Sequence, residues 1–200
     1  MSEYVNLIQD FPQRCTSILE AFVKQAKDMD REVTLMLAIV SASLVIPYER
    51  LGDFENPSGD AKKYFQAKSE FANECGNKVF LDWVPGEKSK SWKFTELDLN
   101  DVNQPPASWL RNIQPLPKEG EVGTVGYVLY HLRNAFAHGN IFTLAESKQI
   151  KSLIFLCKRK KNNTVDGYNL IEVLPEDLYV FLEKWIQFLT SLNLTEPKVD

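Results

Sequence analysis

Apolar residues recur every three or four positions over residues 11–29. Phe11, Cys15, Ile18, Leu19, Phe22, Val23 and Ala26 fall on one side of a predicted helix. The polar step at 28–30 closes it. Residues 31–46 are apolar almost all round, which predicts a central helix that Pro47 ends or kinks by withholding an N–H. Residues 60–76 repeat the helical spacing with Tyr64, Phe65, Ala67, Phe71 and Ala72, and Gly76 supplies a stop. The stretch 52–61 is loop by composition. From 82 to 120, prolines at 85, 105, 106, 115 and 117 exclude a long regular element. The stretch 50–120 therefore reads as an elaboration between core helices, with its aromatic pieces folded back on the core.

Helical spacing returns over 121–138 through Val122, Val125, Val128, Leu129, Leu132 and Phe136, and Gly139 stands where a helix-ending glycine belongs. Two β-type runs follow, 150–158 and 164–173, joined by the polar tip KRKKNN as a hairpin. Pro175, Glu176 and Asp177 then open a last helix over 175–192, with proline and acids in the first turn as the helix dipole favours. Leu178, Phe181, Leu182, Trp185, Ile186 and Leu189 form its buried stripe. The pattern predicts a mainly α fold. We expect one domain, 1–200, built as a helical bundle of four to five core helices with a small β-hairpin before the C-terminal helix.

Charge narrows the partners. The 200 residues carry a net charge of −4, so no global field draws nucleic acid, and any such site must be a local basic patch. The densest patch is Lys158, Arg159, Lys160 and Lys161 at the hairpin tip, which either tracks a polyanion backbone or is a solvated turn. Cys15, Cys75 and Cys157 are too far apart for a zinc spacing and read as buried free thiols of a reducing compartment. No metal or other cofactor is expected. The start MSEYVNLIQDF has neither the basic flank nor the apolar core of a leader. The longest apolar run, LMLAIVSASLVI, falls short of the roughly 20 residues of a membrane span. A cytoplasmic protein without a membrane partner is the expectation.

Both histidines of the chain lie in HLRNAFAHGN, residues 131–140. A helix advances about 100° per residue, which puts Tyr127, His131, Asn134 and His138 on one face and Arg133 about 140° from His138. A polar helix face is most often a solvated one. Here it gathers both imidazoles and an asparagine near a helix end, with an arginine to one side, which sets a catalytic reading beside the solvated one. His131 either positions substrate or is structural, the structural role being favoured. Tyr127 and Tyr130 either stack bases or pack, with packing favoured.

LYHLRNAFAHGNI, residues 129–141, resembles the signature of the HEPN superfamily (higher eukaryote and prokaryote nucleotide-binding domains): Arg, a polar residue, a short gap, then His near a helix end. Arg133, Asn134 and His138 match it position for position. The resemblance covers roughly 120–190 and implies a HEPN-like helical bundle, often homodimeric, with RNA as substrate. It further implies a metal-independent endoribonuclease in a toxin or phage-defence setting, acting by 2′-OH attack to leave a 2′,3′-cyclic phosphate. An antitoxin or other partner protein is implied too. Arg133, Asn134 and His138 would be its catalytic residues, with the motifs of two subunits forming one site. Some HEPN toxins carry a tyrosine two residues past the histidine that a partner modifies; here that residue is Asn140. The alternative is a non-catalytic HEPN module that binds RNA, a nucleotide or a protein.

Overall fold

The structure is a computed structural model and describes residues 6–52, 65–84, 91–147 and 149–194. Its helices are α1 (Leu7–Asp28), α2 (Glu32–Gly52), α3 (Phe65–Asn77), α4 (Phe80–Trp83), α5 (Pro106–Trp109), α6 (Val125–His138) and α7 (Pro175–Ser191). Its strands are β1 (Lys93–Asp98), β2 (Gln114–Pro115), β3 (Ile141–Glu146), β4 (Gln149–Lys161) and β5 (Thr164–Val173). The chain divides into two compact units. One comprises residues up to 77 together with those from 182 onward; the other is Lys78–Phe181.

The first unit is helical. Asn6 caps α1 by accepting the Ile8 N–H, while Asp10 reaches back to the Asn6 N–H, so two otherwise unpaired donors are satisfied. One stripe of α1 is buried: Ile8, Pro12, Cys15, Leu19 and Ala26. The helix α2 does not end at Pro47; it runs on to Gly52. Proline has no N–H to give the carbonyl four residues back, which is Ser43. That acceptor is taken instead by the indole N–H of Trp185, at 2.9 Å in a fully buried contact. The helix therefore survives its proline because a tertiary donor replaces the missing bond. Gln9 Nε2 likewise lies within hydrogen-bond distance of the carbonyls of Leu189, Thr190 and Leu192 at the end of α7. Phe71 packs edge-on to Tyr48 and Trp185.

Trp185→Phe should lower unfolding stability by about 2 kcal/mol, because the Ser43 carbonyl is left buried and unpaired. Adding Pro47→Ala, which returns an N–H to that carbonyl, should recover part of the loss. Urea denaturation of the single and double variants checks this; a Trp185→Phe variant as stable as wild type would sink it.

The second unit overturns the helical-bundle expectation. It is built on a five-stranded antiparallel sheet of order β2-β1-β5-β4-β3, not on a lone hairpin. The hairpin is there, as β4 and β5, with Asn162 and Asn163 both at positive φ in its turn. The chain adds β3 on one side immediately after α6, and β1 and β2 on the other. The strand β1 comes from the stretch read as irregular. Its six residues are too short to announce themselves among prolines, and they become a strand by pairing all along with β5. The alternating side chains of the sheet separate two layers. Leu97, Ile154, Leu156 and Leu170 form a cluster with Trp109, whose indole N–H is held by the Asp101 carbonyl. The opposite alternation, including Phe155, Cys157 and Asn169, faces α6; Phe136 of α6 packs on Phe155 at 5.3 Å. Phe80, Trp83, Trp92 and Phe181 make a separate aromatic cluster.

The helix α7 begins in the second unit and ends in the first. Its predicted stripe is buried at Leu178, Phe181, Leu182, Trp185 and Leu189. All three cysteines are free and buried.

Candidate functional site at the end of α6

The helix α6 starts later than its apolar pattern implies. Glu121–Gly123 is a short 3-10 turn, and Thr124 is the cap, its hydroxyl accepting the Tyr127 N–H. At the other end Gly139 adopts the left-handed conformation (φ 67°, ψ 22°), and the Asn140 N–H closes back on the Ala135 carbonyl at 2.9 Å. That cap requires a residue free to take positive φ. It also turns the chain into β3: Asn140 receives the Leu156 N–H of β4, and Ile141 pairs with Phe155. His138 is thus the last helical residue, exposed, with the sheet beginning three residues on.

The polar face of α6 is not a solvated face over most of its length. His131 and Asn134 are buried against the sheet, and Tyr127 is half-buried. The His131 ring is fixed at both nitrogens. Nδ1 lies 2.9 Å from the Tyr127 carbonyl, which can only accept, so Nδ1 carries the proton. Nε2 then accepts from Asn169 Nδ2 at 3.2 Å. This is the neutral imidazole, and burial lowers its pKa from 6.5 to about 4. Tyr127 stacks on the ring at 4.0 Å, and Tyr130 meets it edge-on. Burial, then the nearby Glu96 carboxylate, pushes the Tyr127 phenol above its ordinary pKa. His131 and Tyr127 accordingly sit as packed structural groups. Tyr130 is half-exposed, at 49 %.

One turn further, Arg133 Nη1 donates to Asn134 Oδ1 at 2.6 Å. Arg133 is half-buried, whereas Asn134 is only 8 % exposed, so a buried amide holds an arginine that reaches the surface. Cys157 backs this pair from β4. Burial raises its thiol pKa, while the Asn134 amide and the Arg133 charge act in the opposite direction. The Arg133 guanidinium is therefore drawn toward the His131–Asn134–His138 face from the side, by its own neighbour in sequence.

The basic tip divides. Lys158, Lys160 and Lys161 are exposed. Arg159 is engaged by Glu96, Asp98 and Asp166 on the neighbouring strands, so its charge is already answered. Its guanidinium lies over Gly167, where an added Cβ would overlap both the Leu97 carbonyl oxygen and Arg159. Local composition made four adjacent basic residues look alike; the strand alternation turns Arg159 onto the sheet.

Asn169 carried no signal in the sequence, and Cys157 only that of a buried free thiol. They are paired neighbours across β4 and β5, and only that register brings both under α6. Among the described residues, no three or more His, Cys, Asp and Glu side chains are grouped to hold a metal ion.

A family model described as HEPN pEK499 p136 matches residues 1–194, running through both units. The chain is a HEPN protein. The Arg133-Asn134-x3-His138 motif of this HEPN chain thus lies in a domain of the expected family, at the end of its sheet-backed helix. An uncharacterized protein of Mycoplasma pneumoniae, the MG281 homolog, is 22 % identical over 175 residues, which covers 82 % of the HEPN chain and 30 % of that protein. The chain therefore spans less than a third of that relative's length. No solved structure matches.

Proposed function

We propose that this HEPN protein is an endoribonuclease that cleaves RNA through the substrate's own 2′-hydroxyl, needing no metal. The observation that supports this best is the contact between Asn134 and Arg133 beside an exposed His138 on the last turn of α6. His138 takes the 2′-OH proton. The 2′ oxygen then bonds to the adjacent phosphorus as the bond from phosphorus to the 5′ oxygen breaks, and that leaving oxygen takes up a proton. The products are a 2′,3′-cyclic phosphate and a 5′-hydroxyl. An imidazole suits both proton transfers near neutral pH. Arg133, oriented by Asn134, stabilises the charge that develops on the phosphate. His131, neutral and held at both ring nitrogens, is reserved for structure, so the second proton carrier is His138 of a second copy. Lys158, Lys160 and Lys161 give the RNA backbone an exposed cationic approach. A cytoplasmic toxin or phage-defence role, held in check by an antitoxin or partner protein, fits such an activity.

A second reading is a HEPN module that binds RNA, a nucleotide or a protein without turnover. It is favoured by the separation of about 140° around the helix between Arg133 and His138, so that one chain does not aim both at a single phosphate. Incubating the purified protein with RNA in EDTA and identifying the product ends distinguishes the two. Cyclic phosphate ends support cleavage; binding without products rejects it.

A further inference from the structure

The sheet braces two successive turns of α6 through two polar side chains. Cys157 of β4 and Asn169 of β5 are cross-strand partners, so both face the helix from the same level of the sheet. Asn169 meets His131. Cys157 meets Asn134, one turn on, and the two side chains are hydrogen-bonded to each other. Cys157 is 5 % exposed and Asn134 is 8 % exposed, so water does not compete for that bond.

The direction of the bond follows from what the other atoms do. Asn134 Oδ1 accepts from Arg133 Nη1 at 2.6 Å. The amide nitrogen Nδ2 is the only donor that the Asn134 side chain has, so its N–H points at the sulfur and the sulfur accepts. The thiol hydrogen is turned the other way, toward the Lys158 carbonyl, with Sγ 3.9 Å from that oxygen. The groups form one head-to-tail chain: guanidinium to amide oxygen, amide nitrogen to sulfur, thiol to backbone carbonyl. Sulfur is a weak acceptor, yet it decides the sense of the amide. Turning the Asn134 amide over would set an N–H against the guanidinium N–H. It would also present Oδ1 to a thiol whose hydrogen is already committed.

We propose that Cys157 is a positioning residue for Arg133: it locks the Asn134 amide in the one sense that holds the guanidinium toward the His138 face. The geometry rests on the hydrogen-bond chain alone, and the consequence for catalysis rests on the RNA-cleavage reading. Cys157 touches no substrate and needs no thiol chemistry. What it supplies is an acceptor at a fixed point of β4.

Steady-state cleavage of a defined RNA and NMR of side-chain amides test this together. Cys157→Ala should lower kcat about tenfold and change KM by less than about twofold, because the cation remains but is no longer held where phosphate charge develops. Cys157→Val fills the space without an acceptor; it should behave the same way and serves if the alanine variant does not fold. Cys157→Ser keeps both an acceptor and a donor and should recover most of the rate. In an Asn134→Ala background, Cys157→Ala should cost less than about twofold more, since it acts only through that amide. Cys75→Ala removes a buried thiol of the other unit and should leave kcat as it is. The Asn134 Nδ2 protons, identified by their loss in Asn134→Ala, should exchange slowly with solvent in wild type and Cys157→Ser and fast in Cys157→Ala. A full loss from Cys157→Ala in the Asn134→Ala background, a serine variant no better than alanine, or amide protons that exchange alike in wild type and Cys157→Ala would each overturn the proposal. A wild type that leaves RNA whole would sink the cleavage reading alone. The amide exchange would then still decide whether Cys157 locks Asn134.

Discussion

His138→Ala should reduce RNA cleavage in EDTA by at least about a hundredfold, the contribution expected of a positioned acid–base group. The fold should be untouched, because His138 is exposed at a helix end whose cap is made by the backbone of Gly139 and Asn140. Arg133→Ala should cost a similar factor, about 10²–10³, by removing the cation that meets the phosphate. Arg133→Lys should rescue poorly: an ammonium keeps the charge but not the planar fork that both Asn134 and a phosphate can engage. The measurement is the initial rate on a defined RNA, with circular dichroism and thermal unfolding run in parallel. If either alanine variant cleaves at the wild-type rate, the catalytic assignment is wrong. If the wild type binds RNA and leaves it whole, the binding-module reading stands instead.

The other large effect is on stability. The unfolded chain should bind a proton on His131 near pH 6.5, while the folded chain resists it down to about 4. Between those values the unfolded state holds more protons. The contribution of His131 is therefore fully present above 6.5 and is lost as pH falls toward 4, amounting to about 3 kcal/mol over that window. Accepting the proton would set an Nε2–H against the Asn169 amide N–H, with Nδ1 already committed to the Tyr127 carbonyl. Urea unfolding at pH 7 and pH 4.5 measures the loss. His131→Gln should be less stable than wild type at pH 7, since it cannot keep the stacked ring and both contacts, but should show a smaller further loss on acidification. Equal pH dependence in the two proteins would mean that His131 is not held neutral in the core.

These two histidines are seven residues apart on the same helix face, and the structure assigns them opposite places. Position along α6 decides it. His131 stands over Asn169 of β5, whereas His138 is the residue at which Gly139 stops the helix. A helical wheel shows that they share a direction but not what lies in that direction. The same gap explains Arg159, which reads as one of four equal cations in KRKK and proves to be bound by carboxylates of β1 and β5.

Local chemistry along the chain determined the helices with strong periodicity, the β4–β5 hairpin, the proline-led start of α7 and the glycine stop after His138, because each depends on neighbours within a few residues. The Arg133-Asn134-x3-His138 motif was legible for the same reason. Pairing at long range decided the rest. The strand β1 exists by lying against a partner about seventy to eighty residues away, and β2 and β3 likewise complete the sheet by pairing. The helix α2 continues past Pro47 because Trp185, 142 positions beyond Ser43, supplies the donor that the Ser43 carbonyl lacks. Which of two histidines is buried and neutral, and which is left at the surface with Arg133 turned toward its face, follows from the sheet beneath α6. Hydrogen bonds between strands and the burial of a ring are properties of groups that meet only after folding, so no local pattern could carry them.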